Sequence, residues 1–111
     1  MIPYGKQSID DDDVRAVVEG LRSDWLTTGP KVPEFEKAVA DFVRAKYAVA
    51  VCNGTAALHA VMFALGIGPG DEVILPPMTF AATANSIVYQ GGTPIFSDIN
   101  PDTLLIEPGL I

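Results

Sequence analysis

The chain has 111 residues, of which 14 are acidic and 7 are basic, so its formal net charge is −7. A nucleic-acid partner is not expected, because binding to a phosphate backbone depends on clustered Lys and Arg side chains and the basic residues here are scattered. Hydrophobic residues make up 49% of the sequence, which indicates a packed core and excludes a disordered chain.

The single cysteine, Cys52, leaves no material for a disulfide framework or a cysteine-based metal site. Because Cys52 ends an apolar, strand-like run, we expect a buried structural thiol. No uncharged apolar run approaches the roughly 20 residues that span a bilayer, and the N-terminus lacks the basic and apolar regions of a signal peptide. We therefore expect a cytoplasmic protein with no membrane partner and no metal site.

The first part of the chain predicts two amphipathic helices. Residues 2–8 are expected to be extended. The acidic run Asp10 to Asp13 precedes apolar residues at helical spacing, which is typical of a helix start and lacks the pattern of a calcium loop. The first helix is predicted over Asp11–Leu21. Ser23–Pro33, with two prolines and a glycine, is predicted to be a loop, and the second helix is predicted over Glu34–Ala45.

Strands and helices alternate in the rest of the chain. The predicted strands are Tyr47–Val51, Glu72–Leu75 and Pro94–Phe96, and the predicted helices are Thr55–Leu65 and Ala81–Tyr89. This order favours parallel strands joined by right-handed crossovers, which is an α/β fold. Three strands cannot cover both faces and both edges of such a sheet, so we expect exposed apolar surface and self-association.

The turn Asn53-Gly54-Thr55 lies between a predicted strand and a predicted helix. Gly54 permits a ligand to approach the backbone closely, and Thr55 places a hydroxyl beside the free N–H groups of the new helix. Those N–H groups and the helix dipole form a site for an anion such as phosphate. The alternative is that Asn53 or Thr55 only caps the helix.

The segment PPMTF, residues 76–80, follows the second predicted strand at its carboxyl end, where open parallel sheets bind ligands. Phe80 either stacks on a ligand or packs between helix and sheet. Thr79, Thr83 and Asn85 either line a pocket or cap the helix that follows. His59 has no partner carboxylate or metal set in the sequence, so we expect a packed or surface histidine and not a catalytic one.

Three segments occur in one order and spacing: DWLTTGPKVPEFEKAVADFVRAKYAVAV, NGTAAL and GDEVILPPMTFAATANSIVYQGGTPIFSDINPDTLLI. Together they resemble the pyridoxal-phosphate-dependent sugar-nucleotide aminotransferases of the DegT/StrS family, and the resemblance covers residues 2–111. It implies the N-terminal part of a fold-type I large domain, with a three-layer αβα architecture and a mostly parallel sheet. Residues 1–33 would form an N-terminal helix and substrate loop, and residues 34–111 the first part of the cofactor-binding domain.

The resemblance also implies ligands and residue roles. Gly54, Thr55 and Ala56 would hold the phosphate of pyridoxal 5'-phosphate, and Phe80 would stack over its ring. The implied substrates are a keto-sugar nucleotide, UDP-linked, and an amino-acid donor, glutamate, and the implied assembly is a homodimer. The implied substrate-binding residues are Tyr4, Asp24, Trp25, Leu26, Thr27 and Gly54.

The Schiff-base lysine of the family has no counterpart among the four lysines of the sequence, which are Lys6, Lys31, Lys37 and Lys46. In the family it lies further along, so we expect this chain to be a truncated, N-terminal piece of the enzyme. Two alternatives stay open: a pyridoxal-phosphate-dependent sugar dehydratase of the same family, and a nonenzymatic binding or assembly domain. The residue that separates transamination from dehydration takes the place of that lysine.

The 111-residue chain by itself is predicted to lack aminotransferase activity, because it has no matching lysine to hold the cofactor covalently. Mixed with pyridoxal phosphate, glutamate and keto-sugar nucleotides, it should release 2-oxoglutarate no faster than the free cofactor does. Turnover above that background would contradict the prediction.

Overall fold

The computed structural model describes residues 5–111, which belong to two compact units that divide after Ala50. The first unit contains two helices. The second unit contains a two-stranded parallel sheet, two helices and a short 3-10 helix over Pro108–Leu110.

Helix α1 (Asp11–Arg22) begins at the acidic run, as predicted. The carboxylate of Asp10 accepts hydrogen bonds from the backbone N–H groups of Asp12 and Asp13, at 2.9 and 3.1 Å. In return, the Asp13 carboxylate accepts a hydrogen bond from the N–H of Asp10 at 3.1 Å. This reciprocal capping box satisfies N–H groups that have no partner within the helix, and it confirms the interpretation of the run as a helix start.

Helix α2 (Lys31–Val43) begins earlier than the predicted Glu34. The prediction placed Pro33 in the loop. A proline in the first turn of a helix costs no hydrogen bond, because the first four N–H groups lack acceptors within the helix. The helix ends where Arg44 adopts a left-handed conformation with φ 57°, and the N–H of Ala45 donates to the carbonyl of Ala40 at 2.9 Å.

The predicted strand Tyr47–Val51 is not formed in the described structure. A strand depends on hydrogen bonds to a neighbouring strand, and within residues 5–111 the sheet consists of two other strands. The N–H of Ala50 instead donates to the Glu36 carboxylate on α2, at 2.8 Å. Cys52 follows this unpaired run and is exposed, so the expectation of a buried thiol is wrong.

The second unit is built on a pair of parallel strands, which confirms the predicted pairing. Strand β1 (Glu72–Leu75) pairs with strand β2 (Thr93–Phe96) over their whole length. Helix α3 (Gly54–Ala64) precedes β1, and helix α4 (Ala82–Val88) connects β1 to β2. The bounds of these four elements lie within one residue of the predicted ones.

The core of the second unit lies where α4 meets the sheet. Ile87 is only 1% exposed, and Leu75 and Ala82 are also buried. The hydroxyl of buried Ser86 donates to the carbonyl of Thr83 at 2.8 Å, so this polar group is satisfied inside the core. The crossover helix and the two strands therefore fix one another, and they place the carboxyl end of β1 beside the start of α4.

Apolar side chains are exposed on both units. They include Val17 and Leu21 on α1, Phe42 on α2, and Ile74 and Phe96 on the strands. The expectation of uncovered apolar surface is confirmed, and self-association stays a prediction. Within residues 5–111, no helix has the length and apolar character needed to cross a membrane.

Gly92, directly before β2, is predicted not to tolerate a side chain. A Cβ there would lie 2.8 Å from Cγ2 of Ile67 and 3.0 Å from Cγ2 of Ile87. Gly92→Ala should therefore lower the free energy of unfolding by about 1–3 kcal/mol, the usual cost of overpacking. Urea denaturation of the purified chain measures this change.

Gly68→Ala is the matched control for that measurement. A Cβ at Gly68 meets nothing within 4 Å, so this variant should be neutral or slightly more stable than the wild-type chain. Equal stabilities of the two variants would contradict the steric argument.

Candidate functional site

The N-terminus of α3 forms the turn that the sequence singled out. Asn53 is the N-cap, and its side-chain oxygen accepts a hydrogen bond from the N–H of Ala56 at 2.9 Å. The capping interpretation of Asn53 is confirmed. Capping uses only part of the free backbone, however, because the N–H groups of Gly54 and Thr55 have no acceptor among residues 5–111. Two N–H donors at the positive end of the helix dipole are left for an anion.

The space over Gly54 is open. Among residues 5–111, no heavy atom lies within 4 Å of a Cβ added to Gly54, and the φ of Gly54 lies outside the left-handed region. The fold itself therefore does not require a glycine at this position. A glycine at this position would instead allow a ligand to approach the backbone closely.

One cavity of about 550 Å³ joins the turn to the segment after β1. Gly54 and Thr55 line it from the start of α3, and Phe80 lines it from the start of α4. The remaining lining residues are Ala57, Leu58, Ala82 and Thr83. Three of the four predicted cofactor residues thus lie on a single cavity within the second unit.

Phe80 is 75% exposed, so it does not fill the interface between helix and sheet. The backbone around it is held by short bonds: the N–H of Thr83 donates to the carbonyl of Phe80 at 3.0 Å, and the N–H of Thr79 donates to the carbonyl of Pro77 at 3.0 Å. The hydroxyls of Thr79 and Thr83 form a hydrogen bond of 2.9 Å. The aromatic side chain is therefore carried on an ordered turn and is accessible to a flat ligand.

Ala56, the fourth predicted cofactor residue, lies on a neighbouring depression of about 360 Å³ with His59 and Gln90. Its N–H is already engaged by the Asn53 cap. The His59 ring contacts the Tyr89 ring edge-on, with 5.3 Å between centroids, so it is a surface histidine in aromatic contact. Over the described part of the chain, no group of three or more His, Cys, Asp or Glu side chains is arranged to hold a metal ion.

The predicted substrate residues Asp24, Trp25, Leu26 and Thr27 lie together in the loop between α1 and α2, in the first unit. Trp25 and Leu26 are 64% and 70% exposed, so the loop presents apolar side chains to solvent. Tyr4 lies outside the described residues.

The sequence interpretation missed two residues, Leu58 and Ser23. Leu58 lies four residues after Gly54 on α3, and this helical spacing is the signal that places it on the same cavity. Ser23 holds the loop between α1 and α2, since its hydroxyl donates to the carbonyl of Gly20 at 2.7 Å and accepts from the N–H of Trp25 at 3.2 Å. A serine directly after a helix is a common signal for such a bond.

Comparisons with known proteins agree on one family. Residues 7–111 match the model of the DegT/DnrJ/EryC1/StrS aminotransferase family. The chain is 52% identical over 107 residues to the spore coat polysaccharide biosynthesis protein SpsC of Bacillus subtilis (strain 168). This alignment covers 96% of the chain and 28% of SpsC. It is 44% identical over 110 residues to the UDP-4-amino-4-deoxy-L-arabinose--oxoglutarate aminotransferase of Shewanella sediminis (strain HAW-EB3). This second alignment covers 99% of the chain and 28% of the Shewanella protein.

The fold is similar to that of Spr1654 from Streptococcus pneumoniae, solved in PMP and PLP forms. For both forms the TM-score is 0.89 at 38% sequence identity, over 98% of the chain and 28% of the Spr1654 chain. The α/β fold with its parallel sheet thus matches the N-terminal part of these structures. The chain spans 28% of the length of each of these relatives.

The family match extends over nearly the whole sequence, and the fold agrees with it. The chain therefore belongs to the DegT/DnrJ/EryC1/StrS aminotransferase family.

Proposed function

We propose that the chain is the N-terminal part of a pyridoxal-phosphate-dependent aminotransferase that acts on a keto-sugar nucleotide. The observation that carries this proposal is the single cavity lined by Gly54, Thr55 and Phe80. Pyridoxal phosphate consists of a phosphate group and a flat ring. The free N–H groups of α3 suit the first part, and an exposed aromatic side chain suits the second. The PLP and PMP forms of Spr1654 support the choice of cofactor.

The residues of the chain contribute binding and orientation. Gly54 and Thr55 hold the phosphate through their backbone N–H groups, and Asn53 keeps the helix start in place by bonding Ala56. Ala56 contributes to phosphate binding indirectly, because its hydrogen bond to Asn53 fixes the start of the helix. Phe80 presses on the ring and fixes its plane. Bound pyridoxal phosphate supplies the electron sink that amino transfer requires.

We propose a UDP-linked sugar as the acceptor and glutamate as the amino donor. The name of the Shewanella relative contains both a UDP-sugar and oxoglutarate, which supports this choice. The exposed loop residues 24–27, with Tyr4 and Gly54, are the proposed contacts of the sugar nucleotide. Within the family, the segments IPYGKQSI and LRSDWLTTGP favour a UDP-4-amino-4,6-dideoxy-N-acetyl-β-L-altrosamine transaminase, on the pseudaminic acid route.

The proposed enzyme is a cytoplasmic homodimer in which residues 1–33 form the substrate segment and residues 34–111 begin the cofactor-binding domain. Exposed apolar side chains on both units support association. The full-length enzyme, incubated with labelled glutamate and a UDP-linked keto sugar, should form an amino sugar and 2-oxoglutarate. Loss of the sugar hydroxyl with no amino sugar formed would point to the dehydratase instead.

Gly54→Val tests the phosphate turn in the full-length enzyme. A branched side chain at this position should block the approach of the phosphate, and the Kd for pyridoxal phosphate should rise at least tenfold, about 1.4 kcal/mol. The apoprotein should keep its stability, since a Cβ at Gly54 meets nothing within 4 Å. Gly68→Val, at another open position, is the control, and an unchanged Kd in Gly54→Val would place the cofactor elsewhere.

Phe80→Leu tests the stacking role. The substitution keeps an apolar side chain of similar size and removes the aromatic face, so cofactor absorption and affinity should change. The apoprotein should lose less than about 1.5 kcal/mol, as expected for a near-conservative swap at an exposed position. Phe42→Leu is the control, because Phe42 is exposed on α2. A large loss of apoprotein stability with normal cofactor binding would restore the packing interpretation of Phe80.

A further inference from the structure

The substrate loop contains one unusually close packing position. A Cβ added to Gly29 would lie 2.5 Å from Cβ of Trp25 and 3.2 Å from its Cγ. The φ of Gly29 is outside the left-handed region, so its backbone conformation is open to other residues. What excludes a side chain at this position is the side chain of Trp25.

The obstructing atom decides how the loop would respond. Cβ is the root of the Trp25 side chain and is fixed to the backbone, so no rotation of the indole about χ1 can move it away. Any side chain at position 29 must therefore displace the backbone of the loop. Ser23 holds the backbone of Trp25, because its hydroxyl accepts a hydrogen bond from the N–H of Trp25 at 3.2 Å while donating to the carbonyl of Gly20 at 2.7 Å.

We propose that Gly29 is a positioning residue that fixes the backbone of the loop at Trp25, the proposed contact of the sugar nucleotide. Gly29 and Ser23 confine the two ends of the short segment that carries Trp25, although the ring itself is largely exposed. This inference rests on the proposed function, in which Trp25 contacts the substrate. A loop whose backbone is already ordered binds its ligand without losing backbone freedom at that moment.

Fluorescence tests the positioning without reference to any activity. Trp25 is the only tryptophan of the chain, so its emission reports on this loop alone. In Gly29→Ala, the anisotropy of Trp25 should fall and its quenching by acrylamide should rise relative to the wild-type chain. Gly20→Ala is the matched control in the same unit, because a Cβ at Gly20 meets nothing within 4 Å.

Ser23→Ala is a second variant that keeps the test decisive if Gly29→Ala does not fold. It removes the hydroxyl that holds Trp25 and should change anisotropy and quenching in the same direction. Circular dichroism checks that the helices of each variant are retained. Wild-type fluorescence in the folded variants would overturn the positioning role of Gly29.

Kinetics of the full-length enzyme test the link to substrate. In Gly29→Ala the KM for a UDP-linked keto sugar should rise about tenfold with little change in kcat, the pattern of lost uniform binding. The KM for glutamate should stay the same, whereas a general loss of folded enzyme would lower the apparent kcat and change neither KM. An unchanged sugar KM in a variant with altered fluorescence would overturn the contact between Trp25 and the sugar nucleotide, whereas absence of transamination in the wild-type enzyme would overturn the proposed function itself.

Discussion

The free backbone N–H groups at the start of α3 are the constraint on which the candidate site depends. A helix leaves its first N–H groups without partners, and here the Asn53 side chain takes the N–H of Ala56 only. The donors of Gly54 and Thr55 stay available at the positive end of the helix dipole. A cap that used every donor would leave no anion site. The choice of a short N-cap side chain, followed by a glycine with open space above it, keeps the site accessible.

The second requirement is that an aromatic side chain reach the same cavity from a distant part of the chain. Phe80 follows β1 at its carboxyl end, and the buried contacts of Ile87 and Leu75 hold α4 against the sheet. Few residues are buried in this unit, so the site depends on a small core. Parallel pairing of β1 and β2 is thus linked to the candidate site, because the crossover between them contains Phe80 and α4.

Three glycines of this chain matter because they have no side chain, and the physical reason differs with position. At Gly92 a side chain would collide with Ile67 and Ile87, so glycine there serves the core. At Gly29 the obstacle is the root of Trp25, so glycine there shapes a surface loop. At Gly54 there is no obstacle within the unit, and glycine there suits a ligand. Glycine therefore serves packing at one position and loop geometry at another, and at Gly54 it leaves the candidate site open.

Most of the helices and strands could be predicted from the sequence, because they depend on interactions between residues that are near one another in the chain. The start of α1 at the acidic run and the alternating elements of the second unit depend on short-range hydrogen bonds and side-chain periodicity, and both were predicted to within about one residue. Only the tertiary structure decided the rest. Tyr47–Val51 has the composition of a strand, but a strand needs a partner, and that composition cannot supply one. Likewise, the sequence does not tell whether Phe80 is buried or exposed. The packing of α4 on the sheet decided that Phe80 lines the same cavity as Gly54.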